Sequence, residues 1–584
     1  MTTNEYIMND PYLLFEFAQH DGSINPLLFK NPEKIITTSR IDEVISCMEE
    51  IQKQVSKGYY AAGYLSYEAA PAFDPAFQVC SCEKMPLLWF GIFCQPIIHK
   101  EAERKKSFKV SEWEPSIHGH DYHSCIERIK SAIENGDTYQ INYTTRLKAN
   151  FEGDDFSFYQ HLTSVQESNY CAYLNIGDFR ILSASPELFF RWDGNKIITR
   201  PMKGTIHRGK TVEEDEKNAN WLFHSEKNRA ENVMIVDLLR NDLGNIAIPG
   251  TVKVEELFKV EQYPTVWQMT SSISAKTEKN VGIVDIFSAL FPCGSITGAP
   301  KISTMKYIAN LEDSPREVYC GAIGYISPKG ETIFNVPIRT VMIDQQVGEA
   351  VYGVGGGITW DSTATDEYEE IVTKAKLLTA NRPSFQLLES ILLENSQYFL
   401  LDQHLNRLKK SAEFFNFTLP MNDIYKELND IARKHSKHKM KIRLLVSKNG
   451  EFTIGAETIS KFNQIYKVKI SDKPINKNNR YHYHKTTNRQ CYQEHKVNQS
   501  DVFDVILWNQ DGELTEFING NIVLEIDGMM YTPKQRAGLL AGTFRSELIQ
   551  SGKIKERVLK VQDLQLANKI WFINSVRKWV EVIL

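Results

Sequence analysis

Arg200-Pro201-Met202-Lys203-Gly204-Thr205 sets a single lysine between proline and glycine, and a tight turn there would give a primary amine fixed aim. Such an amine, when uncharged, is a nucleophile; in open water it is a solvated loop charge, and the turn alone allows both. Two acidic helix patterns accompany it. Between Glu226 and Asp242, Glu231 shares a helical face with Ile235 and Leu238, and Gly244 lies just past the end. Farther on, a helix capped by Thr365 or Asp366 puts Glu367, Glu370 and Lys374 on one stripe. Upstream of it, Val354-Gly355-Gly356-Gly357 either lets backbone N–H groups approach a carboxylate or forms a flexible hairpin. Gly294-Ser295-Ile296-Thr297-Gly298-Ala299-Pro300-Lys301 reads as a helix start with Pro300 near its first position, offering N–H groups to an anion. Together these parts suit a dianionic substrate bridged to a hard metal such as Mg²⁺.

A second set lies near the C-terminus. Lys485 follows His482 and His484, which alternate as strand neighbours do, and Gln510-Asp511-Gly512 is a hairpin turn preceding Glu516. Lys485 admits a plain reading as a loop amine. His118, His120 and His123 admit a metal site or a solvated helix start.

The elements that must position these groups fall into blocks. Residues 1–115 mix β-like runs such as Ala61–Tyr67 with turns and form an N-terminal scaffold; residues 116–380 form the catalytic domain, opening with a helix capped by Asp121 and a strand from Thr138. Polar, proline-bearing residues 381–384 read as a linker, and 385–584 as a further domain with a helix over 402–415 and strands near 441–447 and 503–508. A chain of 584 residues exceeds one core. Its net charge of −5, with both signs interspersed, gives no basic face for nucleic acid or anionic membrane. Nine scattered cysteines fit a reduced, cytoplasmic protein, and there is neither an apolar run of about 18 residues nor a leader.

The motifs over 120–380 resemble the chorismate-utilising enzymes, which include anthranilate synthase and aminodeoxychorismate synthase component I. The resemblance rests on Pro-Met-Lys-Gly-Thr, Arg229 to Asp242, Gly294 to Lys301, Tyr319-Cys-Gly-Ala-Ile-Gly-Tyr, Ile338-Arg339-Thr, the triple glycine and Glu367 to Ala375. It implies a sandwich of antiparallel sheets flanked by helices, an α/β (α+β) fold. It also implies Mg²⁺ on Glu231 and Glu370 with Glu367 adjacent, and substrate contacts from Tyr319, Arg339, Lys374, Ser295, Thr205 and the amides of Gly355 and Gly357. Lys203 resembles the aminodeoxychorismate type, in which the lysine adds at C2, the 4-hydroxyl leaves and ammonia enters at C4; anthranilate-type relatives carry alanine there. Gln268 stands where many relatives have a histidine thought to act as an acid. No Gly-x-Cys-x-Gly elbow is present, so the resemblance implies a separate glutamine amidotransferase subunit to supply ammonia.

Residues 385–584 resemble the class IV pyridoxal-phosphate proteins, which include aminodeoxychorismate lyase, through His404-Leu-Asn-Arg407, Lys485, Glu516 and Gly538 to Arg545. That implies a smaller two-layer domain with pyridoxal 5′-phosphate carried on Lys485, phosphate contacts from Arg407 and the Thr543 and Phe544 amides, and Glu516 on the pyridinium nitrogen. A homodimer through this domain is implied by the same resemblance. The joint expectation is amination of chorismate followed by loss of pyruvate to give 4-aminobenzoate for folate synthesis. The alternatives are a D- or branched-chain amino acid aminotransferase in the second half, or an inactive scaffold in one half.

Overall fold

Strands such as Tyr12–Phe17 and Tyr60–Leu65 are buried almost throughout, because one face of each meets an opposing sheet and the other meets helices. The structure is a computed structural model describing residues 11–584 except 20, 83, 99–105, 381–382, 436–437, 460–465 and 497–501. The expected linker therefore lies partly outside the described residues.

The first unit comprises residues up to His207 and Ala219–Arg382. Its eleven-stranded and ten-stranded sheets pair in antiparallel fashion and share an inner apolar layer that includes Leu13, Phe15, Tyr64, Ile323 and Met342. Helices Ile41–Ser56, Glu226–Gly244 and Ile283–Leu290 cover the outer face of the ten-stranded sheet through Val44, Ile235 and Phe287. Helices Gly119–Glu134, Asp155–Gln166, Lys301–Leu311 and Ala364–Ala375 cover the other sheet through Ile129, Leu162, Ile308 and Ile371. Burying apolar stripes on both outer faces is what fixes this four-layer sandwich.

Several boundaries differ from the sequence reading. His118, not Asp121, precedes the helix Gly119–Glu134. Gly244 is the last helical residue of Glu226–Gly244, not a residue beyond it. Thr363 caps Ala364–Ala375, accepting from the Asp366 N–H at 3.2 Å, so the cap lies earlier than Thr365 or Asp366.

The second unit comprises Pro383–Leu584 and Arg208–Asn218. A four-stranded antiparallel sheet, Leu387–Glu394 and Met440–Val446 at its centre, packs on helices Leu401–Phe415 and Met421–Lys434. An eight-stranded mixed sheet contains Val502–Trp508, Leu514–Phe517 and Asn521–Ile526. His482 ends a 3₁₀ turn and His484 follows it, so neither is a strand neighbour of the other. No helix among the described residues is long and apolar enough to cross a membrane.

Candidate active sites

In the first unit, Lys203, Thr205, Glu231, Ser295, Tyr319, Arg339, Gly355, Gly357, Glu367, Glu370 and Lys374 all line one cavity of about 350 Å³. Lys203 lies in a strand, Met202–His207, not in a tight turn; the register against Val266–Lys276 breaks between Met202 and Thr205. Gly204, at φ +90°, adopts the left-handed backbone that this bulge requires. Gln268 pins the bulge from the neighbouring strand: its Nε2 donates to the Gly204 carbonyl at 2.9 Å, and its Oε1 accepts from the Thr205 hydroxyl at 2.8 Å.

Burial pushes the Lys203 ammonium below its ordinary value and Lys374 adds to the effect, against the pull of Glu231, Glu187 and Glu370. The glycines lie inside the strand Glu349–Ile358, paired along Tyr143 and its neighbours, which excludes a flexible hairpin. Their missing side chains make room: a β-carbon on Gly356 would stand 3.0 Å from the Glu367 Oε2.

Burial raises the Glu231 and Glu367 carboxyls, and Glu370 raises both further. Burial also acts on Glu370, but Lys374 outweighs it and holds that carboxyl low. Lys374 Nζ lies 2.7 Å from Glu370 Oε1 and donates to the Gly355 carbonyl at 2.7 Å, so this ammonium is already engaged. Among the described residues no group of three or more His, Cys, Asp or Glu side chains is close enough to cage a metal. Carboxylates gathered on one cavity, with Glu370 held ionised by Lys374, nonetheless fit Mg²⁺, which takes one or two protein carboxylates and fills its shell with substrate oxygen and water. The helix start expected to receive an anion does not line this cavity. Pro300 caps Lys301–Leu311, and from the preceding segment Ser295 and Ile296 are what reach the cavity.

Two groups were missed by the sequence reading. Glu187 lines the cavity, accepts from the Ser295 hydroxyl at 2.7 Å and is pushed up to about 7 by burial. Burial thus favours a proton-carrying form, which the Gln268 amide cannot provide. Gln140 is fully buried with both amide atoms unpartnered, and its Nε2 lies 2.5 Å from where a β-carbon on Gly357 would stand. Neither stood out: Gln140 opens the strand Gln140–Gly153 and Glu187 lies in the short connection between Phe179–Ser185 and Leu188–Trp192, and only folding brings them to Lys203.

In the second unit, Arg407, Lys485, Glu516 and Thr543 line a cavity of about 620 Å³. Burial lowers Lys485 to about 8, helped by Arg407, and raises Glu516 to about 8. Glu516 accepts from Tyr492 Oη at 2.8 Å and the Leu540 N–H at 3.2 Å. Arg407 forks onto Glu389 at 2.8 and 2.6 Å, and His404 Nδ1 lies 2.7 Å from the same carboxylate. Burial alone would raise Glu389, but Arg407 and His404 hold it at about 2. The Phe544 ring packs against Phe399 and Trp579, so what it can offer is its amide at the start of helix Thr543–Gln550. A depressed amine, an arginine beside unsatisfied helix N–H groups and a buried, protonatable carboxyl fit pyridoxal 5′-phosphate.

Residues 7–380 match the chorismate binding enzyme family, and residues 386–583 match amino-transferase class IV. Aminodeoxychorismate synthase component 1 of Salmonella typhimurium is 40% identical over 276 residues, 47% of this chain and 60% of its own length. The Bacillus subtilis protein of that name is 41% identical over 254 residues, 44% of this chain and 54% of its own. Anthranilate synthase component I from Streptococcus pneumoniae superposes with a TM-score of 0.51 at 25% identity, covering 65% of this chain and 94% of its own. The chain thus spans a little over half the length of the curated relatives it matches.

Proposed function

Because the chain belongs to the chorismate binding enzyme family and carries a class IV amino-transferase domain behind it, we propose that it makes 4-aminobenzoate from chorismate in two steps, one in each unit. The observation that carries the reading is a desolvated lysine amine, Lys203, sharing one cavity with Glu231, Glu370 and Glu187, whose carboxyl burial raises to about 7.

Glu231 and Glu370, with Glu367 beside them, would hold Mg²⁺, whose charge would neutralise the ring carboxylate. Arg339 and the Tyr319 side of the cavity receive the enolpyruvyl carboxylate. The Lys203 amine bonds to C2, both ring double bonds shift by one position, and the 4-hydroxyl leaves as water with the proton of Glu187; the adduct nitrogen returns a proton to Glu187. Ammonia then bonds to C4, both double bonds shift back, the C2–N bond breaks, and a proton from ammonia restores the lysine. Ammonia comes from a glutamine amidotransferase subunit, a reading supported by "component 1" in the relatives' names.

In the second unit the cofactor supplies an electron sink for C–H cleavage. Lys485 takes the proton from C4 of 4-amino-4-deoxychorismate. The C3–O bond breaks, the departing enolate takes up that proton and becomes pyruvate, and aromatic 4-aminobenzoate remains. Glu516, which accepts from Tyr492, would pair with the cofactor's ring nitrogen and keep it protonated. Lys441, Arg443, Arg489 and Arg577 line this cavity, which suits a substrate with two carboxylates. The test is product analysis of the full chain with chorismate, an ammonium salt, Mg²⁺ and pyridoxal phosphate. 4-Aminobenzoate is expected; anthranilate, or no conversion, refutes the reading.

A further inference from the structure

Arg316 is 1% exposed and lies outside the wall of the first cavity, yet it joins the two backbone segments that build that wall. Its guanidinium donates to the Ile296 carbonyl at 2.8 Å and to the Asn142 carbonyl at 2.7 Å. Both residues line the cavity. Glu312, one turn upstream on the chain, accepts from the same guanidinium at 2.6 and 3.0 Å. The Glu312 carboxylate also accepts from the Thr144 N–H at 3.0 Å and the Thr144 hydroxyl at 2.8 Å. The Arg316 guanidinium lies over the Tyr67 ring at 4.6 Å, which closes its remaining face.

The consequences run to the reacting groups. Asn142 and Thr144 pair with Gly357 and Gly355, the strand whose missing side chains admit Lys203 and whose carbonyl holds Lys374. Ile296 adjoins Ser295, the donor to Glu187. We propose that Arg316, oriented by Glu312, is a positioning residue for the chorismate reaction: it sets the spacing between the Ser295–Glu187 side of the cavity and the glycine strand. A planar fork with five donors can hold two carbonyls and a carboxylate at once, which a lysine cannot. The inference rests on the reading of the first unit as a chorismate site.

Its test uses the full chain with chorismate, ammonium salt and Mg²⁺. Arg316→Lys is expected to raise KM for chorismate and lower kcat, together about 10²-fold in kcat/KM, the cost of misplacing reacting groups by about 1 Å. A melting curve beside the rates separates positioning from mere stability: at temperatures well below its own midpoint, where the variant is fully folded, Arg316→Lys is expected to keep the loss in kcat/KM. Glu312→Gln, which keeps an acceptor for Thr144 but weakens the fork that orients the guanidinium, is expected to lower kcat/KM in the same direction by a smaller factor. Arg316→Lys within twofold of wild type in kcat/KM over that temperature range overturns the proposal, as does Glu312→Gln with kcat/KM unchanged. Failure of the wild-type chain to convert chorismate would instead refute the underlying reading and take this inference with it.

Discussion

Lys203 Nζ lies 2.8 Å from the point where a β-carbon on Gly357 would stand, so the amine occupies room that only glycine leaves open. The three atoms nearest that point all belong to side-chain ends, the Lys203 amine and the Gln140 amide. Gly357→Ala should therefore change the thermal midpoint little while turning the amine away, with chorismate amination down by about 10²-fold. Steady-state rates beside a melting curve check it; a large drop in midpoint with proportionate activity would contradict it.

In the proposed reaction Glu187 is the proton donor, its carboxyl pushed up to about 7 by burial. The donor is present below that pH and lost as pH rises through it, so amination should fall on the alkaline side with a midpoint near 7. Glu187→Gln keeps the shape, removes the proton, and should lower kcat by about 10²- to 10⁴-fold. An unchanged alkaline limb in this variant would rule Glu187 out.

Gln268 holds both sides of the bulge that aims Lys203. Gln268→Ala should loosen the aim and reduce kcat by about tenfold or more. Gln268→Glu, which keeps an acceptor for Thr205 but loses the donor to Gly204, should lie between. Equal rates in all three proteins would show that the bulge holds itself.

Lys485 is the depressed amine of the second cavity, lowered to about 8 chiefly by burial. Lys485→Ala should abolish the visible absorbance of bound cofactor and halt the second step alone. Chromatography would then show 4-amino-4-deoxychorismate accumulating at the wild-type rate. Continued formation of 4-aminobenzoate would place the second chemistry elsewhere.

The motif residues were legible because chemistry fixes their type: Lys203, Glu231, Glu370 and the glycines all meet at one cavity. Sheet and helix identities followed from apolar periodicity over stretches such as Ile126 and Ile129. Local backbone detail was not legible. The Lys203 segment reads as a turn because Pro201 and Gly204 punctuate it, yet pairing with Val266–Lys276 draws it into a sheet as a bulge. Glu187, Gln140 and Arg316 owe their importance to burial beside groups distant in sequence, which periodicity does not report.

The central claim is that the Lys203 amine forms a bond to chorismate. Mass spectrometry of the chain mixed with chorismate and Mg²⁺ but no ammonia, followed by peptide mapping, tests it directly. The account predicts a dehydrated chorismate adduct on Lys203 that disappears in Lys203→Ala and on adding an ammonium salt. Amination proceeding in Lys203→Ala at the wild-type rate, with no adduct in either protein, would contradict it.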